Sequence, residues 1–429
     1  MAERGPDRGP RTASTEVVEV RGHIFDSGAL SRIMDDILDY GGDYQVERLE
    51  PGRAHADESV ARLVVGADDP ELLNRILMRL QTHGANRVDQ GEAVLRPAPR
   101  DGVFPDDFYS TTNLDTQVRV HGTWVDVASS EMDCGIVVTD ASTDTGTQPA
   151  ARTIAMSDVR EGESIVCGSS GVRVVRVPGT TRASAGSGEF EFMSSAVSSE
   201  KPQALLVRQV ADQMRETKAQ GKKILWVGGP AIVHTGAAPA MVRLVEAGYV
   251  DVLFAGNALA AHDIESSIFG TSLGVDLSKG RGVPHGHEHH IRAINKIRAC
   301  GSIAAAVEQG VLTSGIMHGL VRGGNEFVLV GSVRDDGPLP DVITDVIDGQ
   351  RAMRAALKDV GFVIMVATTL HSIATGNILP ASIPLVCVDI TSATVTKLAD
   401  RGSMHAMGIV TDVGLFLEQL VATIDSERA

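Results

Sequence analysis

Between Gly361 and Leu415 the chain carries three short apolar runs: Phe362 to Ala367, Leu385 to Val388 and Met407 to Val410. None is long enough for a helix. Each is unbroken rather than alternating, the pattern of a strand buried on both faces. Each stops at short polar residues: Thr368-Thr369-Leu370-His371, Asp389-Ile390-Thr391 and Thr411-Asp412-Val413-Gly414. Helix-forming sequence follows the first and third. Upstream, Lys223–Val227, Val250–Ala255 and Glu326–Val330 read the same way and end at Gly228-Gly229-Pro230, Gly256-Asn257-Ala258 and Ser332 to Asp336. Helices are predicted over about 201–219 and 237–247. Residues 201–429 therefore predict a doubly wound, mostly parallel α/β sheet of six strands, with its polar groups at the carboxyl ends, where such sheets bind ligands.

The first half is patterned differently. Residues 1–16 are polar, rich in Gly, Pro and Arg, and predict a disordered tail without a signal peptide. Over 17–100 the pattern alternates: strands at Val17–Ile24, Ser59–Val65 and within Asn86–Leu95, helices at Ala29–Tyr40 and Pro70–His83. That is a small βαββαβ-like domain of a kind used for regulation or as an arm. Over 101–200 helical periodicity disappears. Short β runs at 117–120, 123–127, 135–138, 164–167 and 172–177 predict a β-rich middle domain, a small antiparallel barrel or sandwich, and 179–188 predicts a loop.

Composition narrows the function classes. The 429 residues are 43% hydrophobic, only 4% aromatic, and carry a net charge of −16 without a long basic run, which argues against a nucleic-acid partner. The cysteines Cys134, Cys167, Cys300 and Cys387 share no CxxC spacing, and a disulfide framework is not expected. No apolar run reaches membrane-spanning length, so no membrane partner is expected and the chain reads as cytoplasmic.

The strand ends offer the chemistry. Backbone N–H groups at a helix start bind phosphate, and a carboxylate at a strand end accepts the hydroxyls of a ribose. Asp389 is placed for that role, with Asp336 and Asp412 as further candidates; each of these groups can equally cap a helix. The GxGxxG fingerprint is absent, since Gly228-Gly229-Pro230 does not fit it. Gly376-Asn377 is expected to end the helix that starts near His371. His285, His287, His289 and His290 invite a metal, but the same stretch reads as a glycine-rich, substrate-contacting loop with Lys279 and Arg281, or as a solvated helix start; no metal is expected. Glu131-Met132-Asp133-Cys134 can bind an amine or supply acid and base; a surface turn is the simpler expectation.

Five stretches carry a family resemblance: Phe104-Pro105, Phe108 to Asn113, Phe190 to Ser195, Gly229 to Gly236 and Thr396 to Ser403. They resemble the archaeal-type ornithine cyclodeaminases, and the same unit is similar to the carboxyl-terminal part of the cyanobacterial bifunctional arginine dihydrolase/ornithine cyclodeaminases. From about residue 17 to 110 the chain resembles the small domain of lysine-oxoglutarate reductase/saccharopine dehydrogenase. The resemblance implies a Rossmann-like, deoxyhypusine-synthase-like NAD-binding sheet without GxGxxG. It implies conversion of L-ornithine to L-proline with loss of ammonia, by hydride transfer to bound NAD, ring closure and hydride return. The implied cofactor positions are Asn257, Ala258, Asp336, Thr368, Thr369, Leu370, His371, Asp389, Asp412 and Val413. Acid–base candidates are Glu131, Asp133 and Asp400, with Lys397 or Arg401 anchoring the substrate carboxylate. Without the dihydrolase domain, arginine is not an expected substrate. A homo-oligomer is expected on general grounds. A net dehydrogenase of a related amino or imino acid, and a non-catalytic nucleotide-binding regulator, are the alternatives.

Overall fold

Strands and helices alternate along the chain as the apolar pattern requires. The computed structural model describes residues 14–22, 24–25, 28–52, 57–88, 90–139, 149–175, 203–273, 275–276, 281–282, 289–335, 337–399 and 406–426. The Gly179–Gly188 loop and the Phe190–Ser195 motif lie outside them. The chain divides into two compact units, one of residues 1–194 with 379–382, the other of 195–378 with 383–429.

The first unit opens with β1 (Ser14–Gly22), α1 (Ala29–Asp39), β2 (Asp43–Glu50), β3 (Ser59–Ala67), α2 (Pro70–Gln81) and β4 (Asn86–Arg87), in sheet order β2-β3-β1-β4. The βαββαβ order is the expected one. β1 begins at Ser14, so the last three residues assigned to the tail are paired strand, Ser14 opposite Ala67. β2 carries a mostly exposed, polar sequence and has no apolar run to announce it. α1 buries Leu30, Ile33 and Ile37 in one stripe, and Asp69 caps α2 by accepting from Leu72 N, with Pro70 in the first turn. The Asn86–Leu95 stretch gives strands in two different sheets.

The second sheet comprises β5 (Val94–Pro97), β6 (Thr116–Val120), β7 (Thr123–Ala128), β8 (Gly135–Thr139), β9 (Ala150–Ile154), β10 (Ser164–Cys167) and β11 (Val172–Val174), in order β11-β6-β7-β9-β8-β10-β5. Its pairs are antiparallel except β7 with β9. The two sheets are tied together: Gln81 Nε2 donates to Val172 O, and Asn86 exchanges two hydrogen bonds with the backbone of Val174, each 2.8 Å.

The second unit runs α3 (Gln203–Ala219), β12 (Lys223–Gly228), α4 (Ala231–His234), α5 (Ala238–Glu246), β13 (Val252–Gly256), α6 (Asn257–Phe269), a small antiparallel sheet β14 (Thr271–Ser272), β15 (Val275–Asp276) and β16 (Arg281–Gly282), then α7 (His289–Cys300), α8 (Ile303–Glu308), α9 (Ile316–Gly323), β17 (Glu326–Val330), β18 (Val342–Ile343), α10 (Val346–Ala356), β19 (Val360–Val366), α11 (Leu370–Ile378), β20 (Leu385–Asp389), α12 (Ser392–Ala399), β21 (Ala406–Val410) and α13 (Val413–Ser426). The large sheet has seven parallel strands in order β18-β17-β13-β12-β19-β20-β21. Short β18 is the strand beyond the expected six. The runs at the centre of the sheet become strands buried almost throughout, including Trp226, Phe254, Phe362 and Ile364, while β17 and β21 are half-buried.

One buried carboxylate fixes a helix on this sheet. Asp263 on α6 is 1% exposed, and its two oxygens accept from the backbone N–H of Ile316 and Met317, each 2.8 Å, at the start of α9. Gly315 before it stands at φ +100°, where an added Cβ would lie 2.8 Å from the carboxylate. Burial pushes the Asp263 carboxyl up to about 6, against the downward pull of its two N–H donors. The folded state then holds a proton that the unfolded chain releases at lower pH, so this group's contribution to stability falls as pH rises from about 4 to 6. Removing the side chain leaves two buried N–H groups unpaired. Asp263→Ala is expected to lower unfolding stability by about 3 kcal/mol, and Asp263→Asn to flatten the pH dependence between about 4 and 6, both read by urea unfolding.

Candidate active site

The sheet reverses its winding direction between β12 and β19. From β12 the chain moves outward through β13 and β17 to β18, then returns to the opposite side of β12 with β19 and continues through β20 to β21. In open α/β sheets ligands bind at the carboxyl ends of the two strands flanking such a reversal. Here those ends approach very closely. Gly229 N donates to Val366 O at 2.9 Å, and a Cβ at Gly229 would lie 1.8 Å from Ala367 O and 3.1 Å from Thr368 Cβ. Ala367 itself stands at φ +53°, a left-handed conformation that costs a residue with a Cβ about 1 kcal/mol. The strain turns the chain sharply out of β19 and into α11.

The first turn of α11 therefore opens beside Gly229. Thr368 is half-buried, Thr369 and Leu370 are exposed, and Thr369 Oγ1 lies 3.3 Å from Thr394 Oγ1 on α12. Its leading N–H groups have no partner inside the helix. His371 reaches across the neighbouring strand ends: its ring hydrogen-bonds Val330 O, and its Cε1 lies 3.2 Å from where a Gly256 Cβ would be. Burial pulls this imidazole below its usual range, outweighing the carbonyl and Asp335, so it is neutral near pH 7 and donates to Val330.

The other sequence candidates occupy the same edge. Asp389 ends β20, half-buried, with Oδ1 accepting from Thr391 N at 2.7 Å. Asp412 is exposed and caps α13, Oδ1 accepting from Leu415 N at 3.0 Å, with Val413 buried beside it. Asn257 is buried, and its Oδ1 accepts from Leu339 N at 3.0 Å, pinning the β17–β18 connection; Ala258 is half-buried next to it. Lys397 is exposed on α12. Asp336, Asp400 and Arg401 lie outside the described residues, as do His285 and His287.

One expectation holds and one needs correction. α11 does end where expected, at Ile378 one residue past Asn377, but not by a left-handed glycine cap: Gly376 is buried inside the last turn. Glu131–Cys134 is not a plain surface turn. Glu131 and Cys134 are buried, and Thr111 staples the segment: its Oγ1 donates to Glu131 O and accepts from Cys134 N, while its backbone pairs with Asp133 N and Cys134 O. Asp133 alone is exposed, at φ +60°. Among the described residues, no group of three His, Cys, Asp or Glu side chains is arranged to hold a metal, and no helix is long and apolar enough to cross a membrane. Burial pushes the Cys167 and Cys387 thiols up to about 12, so neither is a nucleophile.

Sequence reasoning missed one group of residues. His234, at the end of α4, lies with its ring 4.7 Å from that of His262, which hydrogen-bonds the fully buried Glu265. The signal was spacing on α6: His262 and Glu265 stand three apart, on one helix face.

A parallel sheet with this reversal and a tight glycine contact at it defines a Rossmann-type α/β protein preceded by a separate unit of small and β-rich sheets. Family models match accordingly: "LOR/SDH bifunctional enzyme conserved region" over residues 15–114, and the first and Rossmann-fold regions of "Arginine dihydrolase ArgZ-like, C-terminal" over 115–207 and 208–420. The ornithine cyclodeaminase of Methanothermobacter thermautotrophicus is 52% identical over 96% of this chain and 98% of its own length. This chain belongs to the archaeal-type ornithine cyclodeaminase family. The apo structure of ArgZ, an arginine dihydrolase of cyanobacteria, superposes with TM-score 0.84 at 34% identity over 97% of this chain, which spans 59% of ArgZ. AgrE, solved as a ternary complex with ornithine and NAD+, is 39% identical over 96% of this chain and 58% of its own, with TM-score 0.52.

Gly229→Ala cannot be accommodated without parting β12 from the end of β19. It is expected to lower stability by about 3 kcal/mol, measured by thermal unfolding, whereas Gly236→Ala, whose Cβ position is open, is expected to cost about 1 kcal/mol for its left-handed backbone.

Proposed function

We propose that this chain converts L-ornithine to L-proline and ammonia with NAD as its resident cofactor, held at the carboxyl edge between β12 and β19. Family membership over nearly the whole chain supports the activity, and the ornithine and NAD+ of the AgrE complex support substrate and cofactor. The observation that supports the location is the winding reversal itself, where Gly229 lets the end of β19 close on β12 and α11 starts at once.

The residues fit a dinucleotide. The first-turn N–H groups of α11, over Thr368, Thr369, Leu370 and His371, suit the pyrophosphate, with helix dipole and unpaired donors acting together. Asp389 is assigned a ribose: one oxygen is used by Thr391, and the carboxylate has acceptor capacity left for a diol. Asn257 and Ala258 shape the wall at β13; Asp412 and Val413 shape it at β21, and Asp336 completes the set. Bound NAD supplies a hydride acceptor and then a hydride donor, so the conversion needs no net oxidant.

The protein must orient ornithine and move protons. Lys397 or Arg401 is assigned to the substrate carboxylate, and Glu131, Asp133 and Asp400 to binding amines or exchanging protons. The functional division follows the sequence: 17–100 an accessory domain, 101–200 a β-rich domain, 201–429 the cofactor domain. A cytoplasmic homo-oligomer serving proline biosynthesis is the fitting context.

Incubation with L-ornithine and NAD is expected to yield proline and ammonia in equal amounts without accumulation of reduced nicotinamide. Accumulating NADH would identify a net dehydrogenase instead; NAD binding with unchanged ornithine would identify a regulator. Asp389→Ala is expected to weaken NAD binding at least tenfold by calorimetry.

A further inference from the structure

A network of imidazoles around one enclosed carboxylate lies beside the proposed cofactor crevice. Glu265 on α6 has no exposed surface. Its Oε1 accepts from Thr271 Oγ1 at 2.9 Å, and its Oε2 faces His262 Nδ1 at 2.8 Å and Leu273 N at 3.3 Å. Thr271 Oγ1 also meets His289 Nδ1 at 2.8 Å. A carboxylate only accepts, so His262 presents its Nδ1–H to Glu265. The His262 ring packs edge-on to His234 at 4.7 Å and lies 6.2 Å from His290. His234 Nδ1 is engaged by Ser272 Oγ at 2.7 Å, which leaves Nε2 as its exchangeable nitrogen.

Position connects this network to the crevice. His234 ends α4, which begins directly after the Gly229-Pro230 turn, about 6 Å of helical rise away. The next residue, Thr235, packs against Gly414 at the start of α13, 3.4 Å from the Cβ position there. This end of α4 therefore stands at the carboxyl rim. Enclosing a carboxylate beside an imidazole and a hydroxyl costs desolvation that a plain apolar contact would avoid, and the sheet already has an extensive apolar core.

We propose that His234 takes and returns a proton during ornithine turnover, with His262 and Glu265 as its positioning residues. The proposal rests on the cyclodeaminase reading. The α-ammonium of ornithine must lose a proton before its nitrogen can form the C=N bond as hydride leaves the α-carbon. His234 Nε2 takes that proton. The δ-amine, its own proton lost to solvent, then adds to the α-carbon. The imidazolium protonates the original α-nitrogen, whose C–N bond breaks to release ammonia, and returning hydride completes proline. The remaining proton exchanges are with solvent and sum to zero: ornithine cation gives proline zwitterion and ammonium. Burial, and then His262, pull the His234 imidazole below its usual range against a smaller upward pull from Glu265, so it rests as the free base. The titratable groups around it are His262 and Glu265 on α6, His290 on α7, and Asp412 at the cap of α13 beside Gly414 and Thr235.

The test compares wild type, His234→Asn and His262→Gln as NAD-loaded full-length protein. His234→Asn is expected to lower kcat at least 100-fold, to leave KM for ornithine and NAD affinity within threefold, and to abolish the acid limb of the kcat–pH profile, with partial rescue by added imidazole. His262→Gln is expected to move that limb to higher pH, in step with the His234 Cε1–H titration followed by NMR. A His234→Asn enzyme within threefold of wild type with its acid limb intact would overturn the proposal, as would a His262→Gln enzyme whose limb and His234 titration do not move. Wild-type protein that does not turn over ornithine would instead overturn the functional reading, leaving the NMR comparison to test the His262–His234 coupling alone.

Discussion

The close approach of Gly229 to the end of β19 is the constraint on which the site depends. Parallel strands flanking a winding reversal send their helices to opposite faces, so a crevice opens between their ends. In this chain those two ends meet backbone to backbone. Gly229 supplies no Cβ, Ala367 accepts a left-handed turn, and α11 starts immediately beyond it. The usual glycine fingerprint achieves close approach to a pyrophosphate by three spaced glycines. Here GxGxxG is absent, and one glycine with one left-handed alanine brings the ends of β12 and β19 together where α11 starts.

Polar side chains of this unit are divided between holding the protein together and facing outward. Asn257, Asp263 and Asp412 spend acceptors on backbone N–H groups of Leu339, Ile316 and Met317, and Leu415, so they fix loops and helix starts. Asp389 uses one oxygen on Thr391. His371 spans the ends of β13 and β17 and ties them to α11. These contacts make the rim rigid before any ligand arrives, which lowers the ordering cost of binding. The His234–His262–Glu265 group is different in kind: most of its hydrogen bonds run between side chains.

Much of this was legible in the sequence. The unbroken apolar runs gave the central strands because burial on both faces leaves no polar alternation, and Gly229, Asn257, Thr368, Asp389 and Asp412 follow or end the strands as expected. β2 and β18 escaped for physical reasons. The first is an exposed strand with a polar sequence, and the second is two residues at a sheet edge. Gly376-Asn377 marked the end of α11 to within a residue, though Gly376 stays helical rather than forming the left-handed cap. Glu131 misled because its charge suggested solvent, whereas Thr111, twenty residues away, holds its segment in place. The imidazole network joins α4, α6, β14 and α7, elements that only the folded sheet brings together.

The central claim is that the crevice between β12 and β19 receives the dinucleotide. Its most direct test is a crystal structure of the protein grown with NAD. The account predicts pyrophosphate density over Gly229 and the first turn of α11, with a ribose diol against Asp389. Dinucleotide density bound elsewhere on the chain, with this edge occupied only by solvent, would contradict it.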